Sequence, residues 1–358
     1  MTGSSASTVA ELDVVHAGPF VTVQDLGRPG HGRRGVPSSG PLDQLAHRCA
    51  NEAVGNAAAA PALEVSLGGL VLDCVAGSIT VAVAGGDFVI EHRGRHADVV
   101  ASGWRVLTLS DGDRLSVRAG SWGSWTTLAV AGDLQAPEWL GSSSTHSLSG
   151  FGGGTIVAGR RLVVEAARTE PNRDGAIATP ALGLPSSELR VVLGPQTGCF
   201  APEAVDVLLS SSYRLSTAYD RMGVRLEGPA LPIGDALSIP SEPVLKGSIQ
   251  VAGDGAPTLL LADHQTTGGY PKIATVVSAD LERAVRCRSG DEVRFVAVSA
   301  DEAVAAARAH AEVADQAVRQ VGVPGRDQRL RSTNLISEAD ALMGDTAAGE
   351  AGGGTSEV

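Results

Sequence analysis

Short runs of β-branched and other apolar residues, separated by turns rich in Gly, Asp and Ser, cover most of this chain. The clearest runs are LVLDCVAGSITVAVAGGDFVI, WRVLTLSDGDRLSV, LRVVLG, IATVVSADL and DEVRFVAVS. The turn residues recur at roughly the 8–12-residue spacing that is typical of β-sandwiches and β-barrels. This pattern predicts a mainly β fold.

Two parts of the chain repeat the same order of elements, which indicates an internal duplication. Two predicted helices, PLDQLAHRCANEAVGN and APEAVDVLL, are each followed by a similar strand-turn-strand segment, VSLGGLVL and VRLEGPAL. SDGDRLSV near Gly112 is echoed by RSGDEVRF near Gly290. We therefore expect two related β-barrel-like halves, residues 10–185 and 186–300, with one helix each.

A further helix is predicted at the end of the second half. SADE, which begins at Ser299, is a capping box, and the apolar residues after it recur in steps of three and four over residues 301–321. The following segment is rich in Gly and Ala and has little to bury. Residues 322–358 are expected to form a mobile tail.

Composition limits the classes of function. A formal net charge of −12, without a basic stripe among aromatic residues, argues against nucleic-acid binding. The N-terminal segment lacks the features of a signal peptide, and no apolar run reaches the ~20 residues that a membrane span needs. We expect a cytoplasmic protein without membrane contact.

Motifs for metal or nucleotide binding are missing. His92 and His96 have the spacing of two ligands on a helix, but the surrounding sequence predicts a hairpin. SGFGGGT lacks the strand and helix that flank a dinucleotide-binding loop, and GxxxxGK[ST] is absent. The four cysteines are scattered singly, which predicts buried thiols. No metal site is predicted.

The two lysines of the chain, Lys246 and Lys272, flank one polar segment, GSIQVAGDGAPTLLLADHQTTGGYP. If LKGSIQV is a strand, Lys246, Ser248 and Gln250 point to the same side. Farther along, Asp263 and Gln265 share a side, and the Gly-Gly pair lets backbone N–H groups approach a ligand closely. This segment is a candidate binding site; the alternative is a solvated hairpin.

Two other segments carry candidate site residues. The loop VTVQDLGRPGHGRRGVPSSGPLD contains Gln24, Asp25 and Arg28, followed by Arg33 and Arg34, and such guanidinium groups suit carboxylate or phosphate binding. The alternative is a surface turn with ordinary ion pairs. In YDRMGVRL, Asp220 and Arg221 are candidates as well, although a structural Asp–Arg pair is the favoured interpretation there.

Taken together and in order, several segments resemble the allophanate hydrolase subunit 2 family. They are VTVQDLGRPGHGRRGVPSSGPLD, ANEAVGN, LGSSSTHSLSGFGG, YDRMGVRLEG and KGSIQVAGDGAPTLLLADHQTTGGYPKIATV. The family includes the C subunit of 5-oxoprolinase, the KipI antagonist and the second half of the carboxyltransferase domain of urea carboxylase. The resemblance covers about residues 12–298, and it implies that both halves are cyclophilin-like β-barrels.

The resemblance also implies partners. Family members work with a subunit-1 or KipI-like protein, and a lactam-utilisation protein is a further candidate partner. This chain shows neither a biotin-carrier lysine motif nor an ATP-grasp region nor an amidase signature. Catalysis is therefore expected only with partner subunits.

The favoured function that the resemblance implies is that of a subunit in an ATP-dependent 5-oxoprolinase-type complex, which opens a small lactam or amide to glutamate with ATP and Mg²⁺. Resonance makes a lactam carbonyl a poor electrophile, so cations at the transferring phosphate and donors at the developing oxyanion are needed. Expected catalytic residues are Lys246, Asp263, Gln250 and Asp25. Expected substrate-binding residues are Gln265, Thr266, Thr267, Gly268, Gly269, Tyr270, Lys272, Arg28, Gln24, Asp220 and Arg221.

Two alternatives stay open. In one, the chain is the carboxyltransferase component of a biotin-dependent, urea carboxylase-like system, and a partner supplies carboxybiotin. In the other, it is a non-catalytic KipI antagonist that regulates an inhibitor of a sensor kinase. His264 stands where the family pattern suggests Arg, and a histidine with a pKa near 6.5 would bind an anion only when protonated.

Overall fold

The structure is a computed structural model that describes residues 8–95, 98–234 and 239–321. His96 and the segment 322–358, for which the sequence predicts a mobile tail, lie outside the described residues. The fold is mainly β, as predicted, and α-helices pack around and between the sheets.

The first half of the chain consists of two packed sheets. Its strands are β1 (Ala10–Ala17), β2 (Thr22–Gln24), β3 (Ala62–Ser66), β4 (Leu70–Ala76), β5 (Ser78–Ala84), β6 (Phe88–Arg93), β7 (Asp98–Ser102), β8 (Arg105–Ser110), β9 (Arg114–Ala119), β10 (Trp125–Val130), β11 (Asp133–Leu134), β12 (Arg161–Glu165) and β13 (Gly175–Ala176). One sheet has seven strands in the order β11-β12-β1-β4-β9-β6-β7, and the other has six in the order β13-β8-β5-β10-β3-β2. Alternate residues such as Leu12, Leu72 and Val81 are buried between the sheets and form the core.

The second half closes into a barrel. Its strands are β14 (Glu188–Leu193), β15 (Ser212–Tyr219), β16 (Gly223–Glu227), β17 (Glu242–Pro243), β18 (Ser248–Val251), β19 (Pro257–Leu260), β20 (Thr267–Gly268), β21 (Lys272–Val276) and β22 (Glu292–Ala297). The barrel order is β14-β21-β18-β19-β16-β15-β22, and β17 and β20 form a separate two-stranded sheet. Tyr213, Ile249 and Phe295 lie in the barrel core.

The helices are α1 (Gln44–Ala53), α2 (Ala204–Ser210), α3 (Ser278–Val285) and α4 (Ala300–Val321), and short 3-10 helices cover Gly32–Arg34, Pro171–Arg173, Ala181–Gly183 and Thr197–Cys199. The predictions of α1, α2 and α4 are confirmed. Helix α1 begins after Asp43, because the Asp43 carboxylate accepts a hydrogen bond from Ala46 N at 2.9 Å and caps it.

Helix α3 was not predicted, so the second half has two helices where the sequence suggested one. The pattern of the run IATVVSADL predicts β structure throughout. In the structure, β21 ends at Val276, and buried Leu281, Ala284 and Val285 then follow a helical spacing that packs α3 onto the barrel core.

Helix α4 packs against α1 and α3. The predicted capping box forms, since Ser299 N donates to Glu302 Oε2 at 2.7 Å and Glu302 N donates to Ser299 Oγ at 3.2 Å. Ala314 and Val318 are buried against α1, and Arg48 forms an ion pair with Asp315 at 2.5 Å. No described helix combines the length and the apolar character needed to cross a membrane.

One turn recurs in both halves. Asp113 Oδ2 accepts from Ser110 N at 2.9 Å, and Asp291 Oδ2 accepts from Arg288 N at 2.8 Å. The glycine before each aspartate has a positive φ, and a strand follows each turn. This match supports the duplication. The copy is incomplete, because β4 follows β3 in the first half, whereas the corresponding residues 229–231 after β16 are described and are not in a strand. The boundaries of the halves stay a prediction.

Candidate active site between the two halves

A buried arginine lies at the centre of the contact between the halves. Arg221 is 0% exposed and occupies the turn between β15 and β16. Its Nε donates to Asp263 Oδ2 at 2.9 Å, its Nη1 to Glu64 Oε1, and its Nη2 to the carbonyl of Gly40 at 2.7 Å. Since Glu64 and Gly40 belong to the first half and Asp263 to the second, this side chain joins both.

Asp263 connects the same cluster to a loop of the first half. Its Oδ2 also accepts from Ser147 N at 2.9 Å. Burial alone would raise the pKa of Asp263, but the Arg221 guanidinium outweighs that effect and lowers it. Asp263 is therefore ionised at neutral pH, and both of its oxygens are engaged.

Lys246 lies beside this cluster, but not in a strand. The sequence suggested that LKGSIQV is one strand; β18 instead begins at Ser248, because Gly247 has φ +89° and forms a turn. Lys246 is half-buried. Burial lowers the pKa of its ammonium, and the carboxylate of Glu282 opposes that shift. An amine of this kind loses its proton more readily than an exposed lysine does.

Glu282 on α3 belongs to a second charged contact between the halves. Its Oε2 accepts from Leu45 N at 3.3 Å and lies 3.5 Å from Arg286 Nη2. Arg286 holds the α1 cap, Asp43, through two hydrogen bonds of 2.6 and 2.7 Å. Burial raises the pKa of Glu282. The contact anchors α1 against α3, next to Lys246.

The side-chain amides of Gln250 and Gln265 form a polar cluster close to Asp263 in the sequence. Gln250 Oε1 accepts from Gln265 Nε2 at 2.9 Å, and Gln250 Nε2 donates to the carbonyl of Tyr270 at 3.2 Å. Lys272, the cross-strand neighbour of Gln250, places Nζ 2.8 Å from Glu242 Oε1. The structure thus brings these predicted residues together, but Lys272 already has a carboxylate partner.

Residues 266–270 form a small flap over this cluster. Val244 N donates to the carbonyl of Thr266 at 3.0 Å, and β17 pairs with β20. A Cβ at Gly269 would lie 2.7 Å from the carbonyl of Ile239, so glycine is required there by close packing. Thr267 and Tyr270 are exposed. The expected approach of the backbone N–H groups of Gly268 and Gly269 to a ligand stays a prediction.

In the first half, Asp25 organises the loop at residues 142–144. Its carboxylate accepts from Ser142 Oγ at 2.6 Å, Ser143 N at 2.7 Å, Ser144 Oγ at 2.7 Å and Gly27 N at 2.8 Å. Burial alone would raise the pKa of Asp25, but these hydrogen bonds outweigh it and lower the pKa. With so many donors bound, Asp25 positions this loop.

Arg28 is held by the same loop and is 2% exposed. Its Nη2 donates to the carbonyl of Ser144, and its guanidinium lies over the Trp139 ring, 5.0 Å from the ring centre. Its Nη1 is buried and has no hydrogen-bond partner among the described residues. Arg33 and Arg34 are exposed instead, in the 3-10 helix at Gly32–Arg34.

Gln24 is also buried with one free polar atom. Its Nε2 donates to Thr22 Oγ1 at 2.9 Å and to the carbonyl of Thr145 at 3.1 Å, whereas its Oε1 has no partner in the described part of the chain. A buried polar atom without a partner costs about 1–3 kcal/mol. Such atoms are expected where a ligand completes the hydrogen bonding.

Asp220 does not pair with Arg221, contrary to the favoured interpretation of YDRMGVRL. Its Oδ1 accepts from Met222 N at 2.7 Å and Gly223 N at 3.2 Å and forms the turn before β16. Adjacent side chains point in different directions here, so Asp220 shapes the turn that presents Arg221. The carboxylates that bind Arg221 are those of Asp263 and Glu64.

His264 is neutral near pH 7. Its Nδ1 lies 2.7 Å from the carbonyl of Gln265, and burial lowers its pKa. It therefore does not supply the positive charge that an arginine would supply there. In the described residues, no group of three His, Cys, Asp or Glu side chains is arranged to hold a metal ion.

The chain is similar in sequence to a known family and to proteins of known name. The model of the carboxyltransferase domain family, subdomain A and B, matches residues 34–297. The chain is 34% identical over 299 residues to the C subunit of 5-oxoprolinase from Escherichia coli (strain K12), and the match covers 82% of this chain and 94% of that protein.

Urea-processing proteins also match, but only over part of their length. A putative urea carboxylase of Emericella nidulans is 32% identical over 311 residues, which is 81% of this chain and 24% of that protein. The solved structure of the K. lactis urea amidolyase has a TM-score of 0.77 at 26% identity, over 90% of this chain and 20% of that one.

Proposed function

Because the chain belongs to the carboxyltransferase domain family, subdomain A and B, we propose that it is a subunit of an ATP-dependent 5-oxoprolinase-type complex that hydrolyses a lactam to glutamate. The observation that carries the proposal is the match over 94% of the C subunit of 5-oxoprolinase, compared with 24% of the urea carboxylase. We propose a subunit-1 or KipI-like protein as partner, with a lactam-utilisation protein as a further one.

The residues around Arg221 suit the binding of such a substrate. 5-Oxoproline carries a carboxylate and a lactam group, and Arg28 Nη1 is a buried cationic donor without a partner among the described residues. Arg28 stays charged, since burial lowers its pKa from a high starting value and Asp25 opposes the shift. We assign the substrate carboxylate to Arg28 Nη1, because a hydrogen bond between a guanidinium and a carboxylate is stronger than one between neutral groups.

Lys246 is the proposed catalytic residue. Ring opening adds water to the lactam carbon, breaks the C–N bond and transfers a proton to the departing nitrogen. A half-buried amine with a lowered pKa releases that proton more readily than an ordinary lysine does, and its protonated form can stabilise a developing oxyanion. Asp263 and Arg221 position the surrounding chain, and Gln250 and Gln265 form the neighbouring polar wall.

ATP, when bound in the complex, would supply a phosphoryl group that activates the lactam carbonyl; one water would then displace the ring nitrogen, and a second water would release the phosphate and leave the new carboxylate. Among the described residues no three His, Cys, Asp or Glu side chains are arranged to hold a metal ion, and the sequence has no phosphate-binding GxxxxGK[ST] loop. We therefore assign no ATP or Mg²⁺ contact to this chain and propose that partner subunits bind them.

Carboxyl transfer is the second candidate function. The match to urea carboxylase and urea amidolyase favours it, as those proteins contain a region with this fold. In that case a partner would supply carboxybiotin, and the lowered pKa of Lys246 would suit a base that takes a proton from a urea-like N–H.

Reconstitution tests the proposal. The chain would be co-expressed with the subunit-1-like and lactam-utilisation proteins, and glutamate release from 5-oxoproline with ATP and Mg²⁺ would be measured for wild type, Lys246→Met and Arg33→Ala. We expect release by wild type and by the exposed-residue control Arg33→Ala, and a loss of at least about 100-fold in Lys246→Met. No release from an intact complex would contradict the proposal and favour carboxyl transfer or a regulatory role.

A further inference from the structure

Ser39 lies in the loop between the two arginines of the site. The carbonyl of the preceding residue, Ser38, accepts from Arg28 N at 2.8 Å, and the carbonyl of the following residue, Gly40, accepts from Arg221 Nη2 at 2.7 Å. A Cβ built on Gly27 would lie 3.2 Å from the carbonyl carbon of Ser39, so the two limbs of the loop are in contact. Ser39 is thus fixed at the junction of the halves.

The conformation of Ser39 is unfavourable for a residue with a side chain. Its φ is +53°, in the left-handed region, where glycine is far more common than serine. Its Oγ is buried and has no hydrogen-bond partner among the described residues. A glycine would avoid both costs, so the presence of a hydroxyl at this place indicates a ligand contact.

Two other buried atoms without partners, among the described residues, come from the same part of the first half. They are Arg28 Nη1, a donor, and Gln24 Oε1, an acceptor. Gln24 and Thr22 share one face of β2, and Thr22 is the cross-strand neighbour of Glu64, which binds Arg221. The face that carries Gln24 is therefore the face turned toward the second half.

We propose that Ser39 Oγ is a substrate contact, and that with Arg28 Nη1 and Gln24 Oε1 it forms a subsite for a molecule that presents a carboxylate next to an N–H group. The carboxylate accepts from Arg28 and from the Ser39 hydroxyl, and the N–H donates to Gln24. In 5-oxoproline the carboxylate is on the carbon bonded to the lactam N–H, so one ligand meets both requirements. This inference rests on the proposed lactam substrate.

The test measures binding and turnover separately. Calorimetric titration of the reconstituted complex with 5-oxoproline would be carried out for wild type, Ser39→Gly, Ser39→Ala and Ser38→Ala. Ser38→Ala is the control, because the hydroxyl that it removes is exposed on the same loop. Since glycine tolerates a positive φ, Ser39→Gly should unfold at or above the wild-type temperature. We expect Kd and KM for Ser39→Gly to rise about tenfold, with kcat changed less, and Ser38→Ala to match wild type.

The outcomes separate this inference from the proposed function. If the complex releases glutamate and Ser39→Gly binds 5-oxoproline as wild type does, the Ser39 contact is wrong and the function stands. A second outcome is that the complex binds 5-oxoproline and Ser39→Gly weakens this binding, but no glutamate is released. That outcome supports the Ser39 contact and contradicts lactam hydrolysis. If the folded wild-type complex does not bind 5-oxoproline, both are contradicted.

Discussion

Arg221 in the second half and Glu64 in the first form an ion pair in which the side chains are 0% and 2% exposed. The remaining Glu64 oxygen accepts from Leu42 N at 2.7 Å, just before α1. Burial raises the pKa of Glu64 and the Arg221 guanidinium opposes that rise. A charge buried here without its partner would be strongly unfavourable. The pair therefore makes the folding stability of each half depend on its contact with the other half.

Glu64→Gln should therefore destabilise the whole protein. The amide keeps the size of the side chain but removes one of the two carboxylates that neutralise Arg221, and breaking a buried pair costs about 3 kcal/mol or more. The free energy of unfolding in urea at pH 7 is the measurement. Glu292→Gln, which removes an exposed partner of Arg214, is the control and should leave the urea midpoint unchanged. Equal midpoints for both variants would contradict the prediction.

Local sequence patterns were sufficient for most of the fold. The alternation of apolar residues predicted the strands, and the capping box at Ser299 predicted the start of α4. Helix α3 was missed, because the change of period after Val276 is hidden in a continuous apolar run. The resemblance to the allophanate hydrolase subunit 2 family is confirmed at the level of family by the match over residues 34–297.

The candidate site was predictable only in part. The polar segments pointed to Arg28, Lys246 and Asp263, but the sequence did not indicate that Asp263 binds a buried arginine whose charge also acts on Arg28 and Lys246. Glu64 was missed, although a lone acid in the apolar strand ALEVS is the kind of residue that needs a buried partner. That partner is 157 residues away, and such a pairing depends on how the halves dock.

His47 should make stability depend on pH. The side chain is 1% exposed, and burial lowers its pKa from 6.5 to about 4. Between these values the unfolded chain binds a proton that the folded protein does not, so stability falls as the pH falls from 6.5 to 4, by about 3 kcal/mol. In His47→Gln this part of the pH dependence should vanish when urea unfolding is followed at both pH values. Identical pH profiles for the two proteins would contradict the prediction.

Asp25→Asn should loosen the loop that holds Arg28. An amide cannot accept from Ser142, Ser143 and Ser144 as the carboxylate does, so we expect a loss of about 2 kcal/mol at pH 7. Because the folded-state pKa is lowered, the contribution of Asp25 is present above its unfolded pKa and is lost as the pH falls further.

The difference in stability between variant and wild type should therefore shrink as the pH falls below 3.8, the unfolded value, and be smaller at pH 3 than at pH 7. Urea unfolding at pH 7 and pH 3 measures this, with Asp98→Asn on the exposed edge strand β7 as the control that stays equal to wild type. A constant difference between Asp25→Asn and wild type at both pH values would show that the loop depends on the shape of the side chain and not on its charge.

The two lysines should differ in reactivity toward an amine-specific reagent. Burial lowers the pKa of Lys246, so a larger share of its amine is unprotonated near neutral pH, and the side chain is only half-buried. Lys272 is 8% exposed and its Nζ lies 2.8 Å from Glu242. Limiting acetic anhydride at about pH 7.5, followed by peptide mass spectrometry, should label Lys246 several-fold faster. Glu242→Gln is the control variant, and it should raise the labelling of Lys272 and leave that of Lys246 unchanged. If Lys272 were labelled faster than Lys246 in the wild type, the proposed role of Lys246 as the proton-exchanging amine would be contradicted.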